Sequence, residues 1–525
     1  MKRSSLSKIA TLLTSLTLPA FALFAQTSSS PAADQPQWGE KHSRNMVSSE
    51  KDLPETFGAG SRVRGTGEID ITGAKNVKWV AKLGAQSYGT PVVAEGKIFV
   101  GTNNEAPRDS RFEGDHGVLM CFDEKSGEFL WQLIVPKLIE IKFSDWWYCG
   151  INSTPVVEQG RAYVVSNRGE VMCLDIEGMA DGNDGPYKDE GQHMVYGDAA
   201  PKPPGKKDAD ILWLYDMPKE LGVKPHNASN CSILMDGDLL YVCTCNGVEW
   251  THVRVENPKA PSLIVINKKT GKLVARDNFG IDGDVVHGQW SSPATGRVGD
   301  RQLGFFGAGN GYLYGFEMLD PDNLPKIDRK SKTRLIEKLW WVNGHPLAQT
   351  QDDVPLEHCH DTRSYEVVAN PVFYKNRVYV PFTQEPFHGK TEGWLTCIDA
   401  TKTGDITRGG IIWSYDKTGA TVSTVSIDDG LVYAADFAGR VHCLDADTGK
   451  VYWVHEAGRP IWGSTMVADG KVYIGTGRNT VSVLATGKKL KELSKIRMRD
   501  KVLTTPVAAN GVLYIATNKH LYAVE

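Results

Sequence analysis

The sequence predicts an all-β fold, an eight-bladed β-propeller with four-stranded antiparallel blades. Three observations carry this prediction: a short hairpin unit that recurs eight times, a second unit with an Asp-x-x-Thr/Ser-Gly turn and a closing Trp, and a last unit that stops one strand short. Length does not decide, because 525 residues fit one large propeller or several ordinary domains. The repeats therefore have to.

The first unit reads "TPVVAEGKIFVGT" at 90, "TPVVEQGRAYVVS" at 154, "SILMDGDLLYVCT" at 232, "NPVFYKNRVYVPF" at 370, "TVSIDDGLVYAAD" at 424, "STMVADGKVYIGT" at 464 and "TPVAANGVLYIAT" at 505, with a looser copy, "SPATGRVGDRQLGFFGAG", at 292. Each joins two apolar runs through a tight Asp/Asn/Gly turn, the signature of a hairpin. The aligned positions are Pro91, Pro155, Ile233, Pro293, Pro371, Val425, Thr465 and Pro506. The tightest spacing is about 40 residues, the size of one propeller blade.

The second unit reads "CFDEKSGEFLW" (121–131), "VINKKTGKLVA" (265–275), "CIDATKTGDITRGGIIW" (397–413) and "CLDADTGKVYW" (443–453); "CLDIEG" (173–178) is cut short, and its Trp213 follows a long polar insertion. The turn glycine accepts a left-handed conformation, and the outer strand ends in Trp. A single sheet cannot bury both faces, so Trp131, Trp213, Trp413 and Trp453 are expected to dock neighbouring blades together. Cys121, Cys173, Cys397 and Cys443 share one blade position, too far apart to cross-link, and read as small buried hydrophobes. The last unit ends at Glu525 after three strands, and "NVKWVAKL" (76–83), with Trp79, supplies the fourth, closing the ring and removing its free edges.

Ahead of the repeats, Lys2, Arg3 and Lys8 precede an apolar run, Ile9 to Ala25, with small-residue cleavage options at Ala20-Phe21-Ala22. Residues 1–25 read as a secretory signal peptide; hydroxyl residues and Pro19 argue against a membrane anchor. The first cysteine is Cys121, so there is no site for a lipid anchor, and no later segment is long and apolar enough to span a membrane. An exported, periplasmic or secreted monomer is expected. Residues 26–75 form an extension or linker, either docked on the propeller or a tether, and residues 76–525 form the propeller. A formal net charge of −4 gives no footprint for nucleic acid.

The Asp445 to Trp453 pattern resembles the tryptophan-docking repeat of the pyrroloquinoline quinone (PQQ) propeller family, which includes quinoprotein alcohol dehydrogenases and BamB-type scaffolds. The chain is most similar to exported PQQ-like repeat proteins, through "NNEAPRDSRFEGDHGVLMCFD", "NRGEVMCLD", "APSLIVINKKTGKLVA" and the lead-in "QPQWGEKHSRNMVSSEKDLPETF". The motif is a packing device, so the likeness speaks for fold more than for chemistry. For the catalytic members, the resemblance implies PQQ held between a Trp and a disulfide of adjacent cysteines, with Ca²⁺ and a catalytic Asp. No two cysteines are adjacent here; Cys243-Thr-Cys245, expected on one strand, comes nearest.

Other motifs are weaker. His358-Cys359-His360-Asp361 is the densest set of possible ligands, but it lies in a polar insertion and reads as a surface loop, so no metal site is expected. "GAGNGYLYG" (307–315) places Tyr312 where a dinucleotide loop needs Gly, and no G-x-S-x-G or phosphate loop occurs.

Propeller geometry supplies the candidate site. Loops entering the inner strands, with those joining second and third strands, converge on one mouth of the channel. They bring Tyr88, Trp147, Asn152, His226 and Asn227 towards His287, Trp290, Arg363 and Trp462. Aromatic and amide residues in one concavity suit a small molecule or peptide. The insertions Met179 to Asp210 and Asp320 to Thr333 read as solvated loops or partner surfaces. The sequence favours a non-catalytic binding or scaffolding protein of the cell envelope, with a protein, peptide or glycan partner and no assigned cofactor. The alternative is a PQQ- and calcium-dependent dehydrogenase of alcohols or sugars, in which Trp290 or Trp462 stacks on the quinone and the catalytic acid stays unassigned.

Overall fold

The computed structural model describes residues 33–138, 143–351, 365–386 and 389–525; the expected signal peptide and the His358 to Asp361 cluster lie outside them. Eight antiparallel blades form the ring. Blade one runs from its inner strand Val92–Ala94 through Lys97–Asn103 and His116–Asp123 to the outer strand Phe129–Pro136. Its first hairpin turns at Glu95 and Gly96, both left-handed, the conformation a two-residue hairpin turn needs. The last blade is completed by Val77–Lys82 pairing with His520–Val524, so the ring closes as expected.

The repeated cysteine has a packing reason. Cys121, Cys173, Cys397 and Cys443 stand opposite Trp131, Trp213, Trp413 and Trp453 on the outer strands. On their other side are Phe99, Tyr163, Tyr379 and Tyr433. A small side chain between two large ones lets the rings meet over it, with centroids 5.9 to 6.1 Å apart. All four cysteines are buried free thiols.

Each of these indoles also reaches the next blade. Trp131 Nε1 donates to Ile176 O at 2.8 Å, Trp213 to Lys268 O at 2.9 Å, Trp413 to Ala446 O at 3.0 Å and Trp453 to Gly487 O at 2.9 Å. Trp79 does the same at the closure, to Glu124 O of blade one at 3.2 Å. The turn glycine serves this contact twice over. Gly449 has φ +71°, and a Cβ there would come within 2.7 Å of the Trp413 ring. The turn is therefore both left-handed and flat against the neighbouring indole.

Three outer edges are covered by strands borrowed from later insertions. Residues 207–209 bond to Gln132 of blade one, through Gln132 N to Lys207 O and Ala209 N to Gln132 O, both 2.9 Å. Arg334–Ile336 pairs in parallel with Leu273–Asp277 of blade three, and Gly404–Asp405 with Lys338–Asn343 of blade four. Such capping removes sites where another chain could add a strand.

The insertion Met179 to Asp210, expected as a solvated loop or partner surface, is exposed over 197–201 and packed at 193–195 and 208–210. Met194 enters the core between blades one and eight, and Arg111 Nη2 bonds Asp208 Oδ2 at 2.7 Å. Asp320 to Thr333 is largely exposed, as expected. A correction concerns Cys243 and Cys245. The strand ends at Cys243, Cys245 is left-handed with φ 61°, and both are free.

Glu170 fastens the packed insertion to blade two. Its carboxylate accepts from Ser166 Oγ at 2.7 Å and lies 3.1 Å from His193 Nε2. Burial alone would raise its pKa, yet the charge and hydrogen bond of His193, with Arg168 and Ser166, bring it down to about 2. An acid held below its ordinary value stabilises the fold above its unfolded pKa and loses that contribution as pH falls. Urea unfolding of the wild type is expected to lose on the order of 2–3 kcal/mol more than Glu170→Gln between about pH 5 and pH 2. Parallel pH profiles of the two proteins would remove Glu170 as the cause.

The N-terminal extension is docked, not a tether, over its described part. It forms a strap across one end of the channel and touches every inner strand. Gln35 exchanges backbone bonds with Val93 of blade one, and Pro36 O accepts from Val157 N of blade two at 2.8 Å. Arg44 Nη2 donates to Ser232 O of blade three at 2.6 Å, and His42 O accepts from Thr295 N of blade four at 2.8 Å. Ser43 O accepts from Phe373 N of blade five at 3.1 Å, and Asn45 makes a two-way amide pair with Ile427 of blade six. Val47 and Ser48 pair in parallel with blade seven, and Ser48 Oγ donates to Ala508 O of blade eight at 3.2 Å.

Candidate functional site

The residue just before each aligned repeat position is Thr90, Thr154, Ser232, Ser292, Asn370, Thr424, Ser464 or Thr505. In every case its backbone N–H donates to the side-chain oxygen of the equivalent residue in the next blade: Thr90 to Thr154, Thr154 to Ser232, Ser232 to Ser292, Ser292 to Asn370, and on through Thr424, Ser464 and Thr505 back to Thr90. The distances run from 2.7 to 3.4 Å. One short polar side chain per blade thus closes a ring of eight hydrogen bonds around the channel.

This ring girdles a cavity of about 660 Å³ that opens at the predicted mouth. Trp38 of the strap also lines it and is buried, so the strap closes the far end. The result is a blind pocket. Of the predicted site residues, Tyr88, Asn152, Asn227, His287, Trp290 and Trp462 line it together. Tyr88 and Phe437 flank the Trp462 ring at 5.3 and 5.4 Å, and Trp290 Nε1 donates to His226 O at 3.0 Å. His226 is buried behind the wall rather than on it.

Trp147 does not line this cavity. It sits at 56% exposure, because the turn that carries it directs Phe143, Trp146 and Cys149 to the cavity instead. Arg363 lies outside the described residues.

Among the described residues, the cavity lining contains no Lys, Arg, Asp or Glu. Burial pushes the Tyr88 phenol up to about 12 and the Cys149 thiol to about 11, so both are neutral at ordinary pH. The Oδ1 atoms of Asn152 and Asn227 are buried without a protein hydrogen bond, acceptors that a ligand could satisfy.

Sequence reasoning missed a neighbouring cluster. His226 and His287 meet His252, from the blade-three loop after Cys243, with ring centroids 4.5 to 4.9 Å apart. Glu385 Oε2 lies 2.9 Å from His287 Nδ1, and burial together with Glu385 holds Glu366 well above the usual carboxylate range. No local motif marks this cluster, because blades three, four and five each contribute to it. The ring of Ser, Thr and Asn did leave a signal, a polar residue before each aligned position.

PQQ and Ca²⁺ would make particular demands on this lining. A tricarboxylate quinone wants cationic partners, and Ca²⁺ wants several oxygens including carboxylates. The described lining has neither, and the described cysteines are all free. These residues do not fit the group.

Residues 391–525 match the model of a family described as outer membrane protein assembly factor BamB. No curated protein matches the chain. Among solved structures, quinohemoprotein alcohol dehydrogenase from Comamonas testosteroni is similar with a TM-score of 0.56 at 12% identity, over 95% of this chain and 81% of that one. BamB from Moraxella catarrhalis gives a TM-score of 0.49 at 10% identity, over 85% of this chain and 96% of that one. At such identities the likeness is one of fold. Among the described residues, no helix is long and apolar enough to cross a membrane.

Proposed function

We propose that this chain, a PQQ-like β-propeller, is an exported, non-catalytic binding protein of the cell envelope whose ligand seat is the blind cavity. The observation that carries the reading is the character of that cavity: about 660 Å³, walled by Tyr88, Trp290, Trp462 and amide side chains, with no charged residue in its described lining. Such a surface favours a neutral, hydrogen-bonding ligand, a peptide segment or glycan end presented by an envelope partner. Export is supported by the basic and then apolar pattern of residues 1–25. The one thiol in the described lining, Cys149, is pushed up to about 11 by burial and is no ready nucleophile at neutral pH.

The test uses tryptophan fluorescence and melting temperature of the mature chain against neutral oligosaccharides, peptides, and PQQ with Ca²⁺. Saturable binding of a neutral ligand is expected, with Trp462→Ala raising Kd at least about 10-fold through loss of the platform. Saturable PQQ binding with a rise in melting temperature would overturn the reading in favour of the dehydrogenase.

A further inference from the structure

We propose that His226, His252 and His287 form a binding site for a divalent transition metal of the zinc type. One nitrogen from each ring lies within 4.8 Å of the other two. A tetrahedral site with Zn–N of about 2.0–2.1 Å needs these nitrogens about 3.3 Å apart, a closure of up to about 1.5 Å shared among the three rings, of which His252 is only half-buried.

The surroundings orient the ligands. His226 Nδ1 is 2.6 Å from Val248 O, and His287 Nδ1 is 2.9 Å from Glu385 Oε2. An imidazole that donates through Nδ1 carries its lone pair on Nε2, the arrangement by which a carbonyl or carboxylate fixes a metal-binding histidine. His226 and His287 are each 1% exposed, so the set is held in place by the three blades around it. Glu385 and Glu366, whose carboxyl oxygens also lie within 4.8 Å of a His287 nitrogen, pack against the ligand set on the blade-five side.

The donor set selects the metal class. Three neutral nitrogens suit Zn²⁺ or Cu²⁺, whereas Ca²⁺ and Mg²⁺ require a shell of oxygens. His252 and His287 also line the cavity, so a fourth coordination position faces it. The site stands on these side chains alone and does not depend on which ligand the cavity takes.

The test is calorimetric titration of the chelator-treated mature chain with Zn²⁺, with Co²⁺ absorption as a report on geometry. One equivalent of Zn²⁺ should bind, Co²⁺ should give tetrahedral bands, and Ca²⁺ should give neither signal. His252→Ala and His252→Gln, on a surface loop, should weaken Zn²⁺ at least 100-fold while keeping the metal-free melting temperature. Glu385→Gln should weaken it about 10–100-fold. Absence of Zn²⁺ binding, or binding unchanged in both His252 variants, means that the three rings are packing partners only and overturns the proposal. The neutral-ligand assay is run on the chelator-treated, metal-free chain, so the two readings fail separately.

Discussion

Arg44→Ala is expected to destabilise the protein by about 3–5 kcal/mol, near the upper end for a single substitution. The guanidinium is fully buried and spends its donors on backbone carbonyls: Pro293 O at 2.9 Å, Trp38 O at 3.1 Å and Ser232 O at 2.6 Å. Burial lowers its pKa to about 10, so it is charged at neutral pH. Removing it leaves three buried acceptors unpaired, unties the strap from Ser232 of blade three and leaves His42 O as its hydrogen bond to blade four. Arg44→Lys should recover under half of the loss, because one ammonium cannot span carbonyls that a planar fork reaches in three directions. Urea midpoints and near-ultraviolet circular dichroism check this, and a loss below about 1 kcal/mol for Arg44→Ala would show the strap to be a passenger.

Trp131→Ala should cost about 3–5 kcal/mol by the same measurement. The ring is 1% exposed, fills the seam between blades one and two, and bonds Ile176 O. Its loss leaves a void lined by Phe99 and Gly178, neither of which can move in to fill it. Gly178→Ala attacks the same seam from the other side: φ is +59°, and the added Cβ would stand 2.8 Å from the indole. The double variant should cost less than the sum of the two, since both break one contact. Strict additivity would mean that the seam is not a single packing unit.

Much of the fold was legible because propeller packing is written locally. Cys443, Gly449 and Trp453 sit within one short stretch, and their spacing states the cross-strand row, the turn and the blade contact together. Closure by Trp79 was legible for a like reason, a strand missing at one place and spare at another. The site was legible only as a location. Tyr88, Asn152, Asn227, Trp290 and Trp462 could be placed at the mouth because each flanks an inner strand, whereas Trp147 sits on a turn whose facing no repeat dictates. His252 and Glu385 come from connections of unequal length, so only three-dimensional structure brings them to His287. Arg44 resembles any polar linker residue until the eight inner strands are arrayed around it.

The strap also bears on the order in which the molecule can be finished during synthesis. Its residues are made before any blade, yet its partners extend to Ala508 and Gly511. The strand Val77–Lys82 likewise waits for His520–Val524. The strap can meet blades one and two early, but its last contacts and the closing strand must wait until the ribosome has delivered nearly the whole chain. A nascent or truncated ring then presents an open channel and an uncapped sheet edge at once, a visible mark of incompleteness that chaperones and proteases can read.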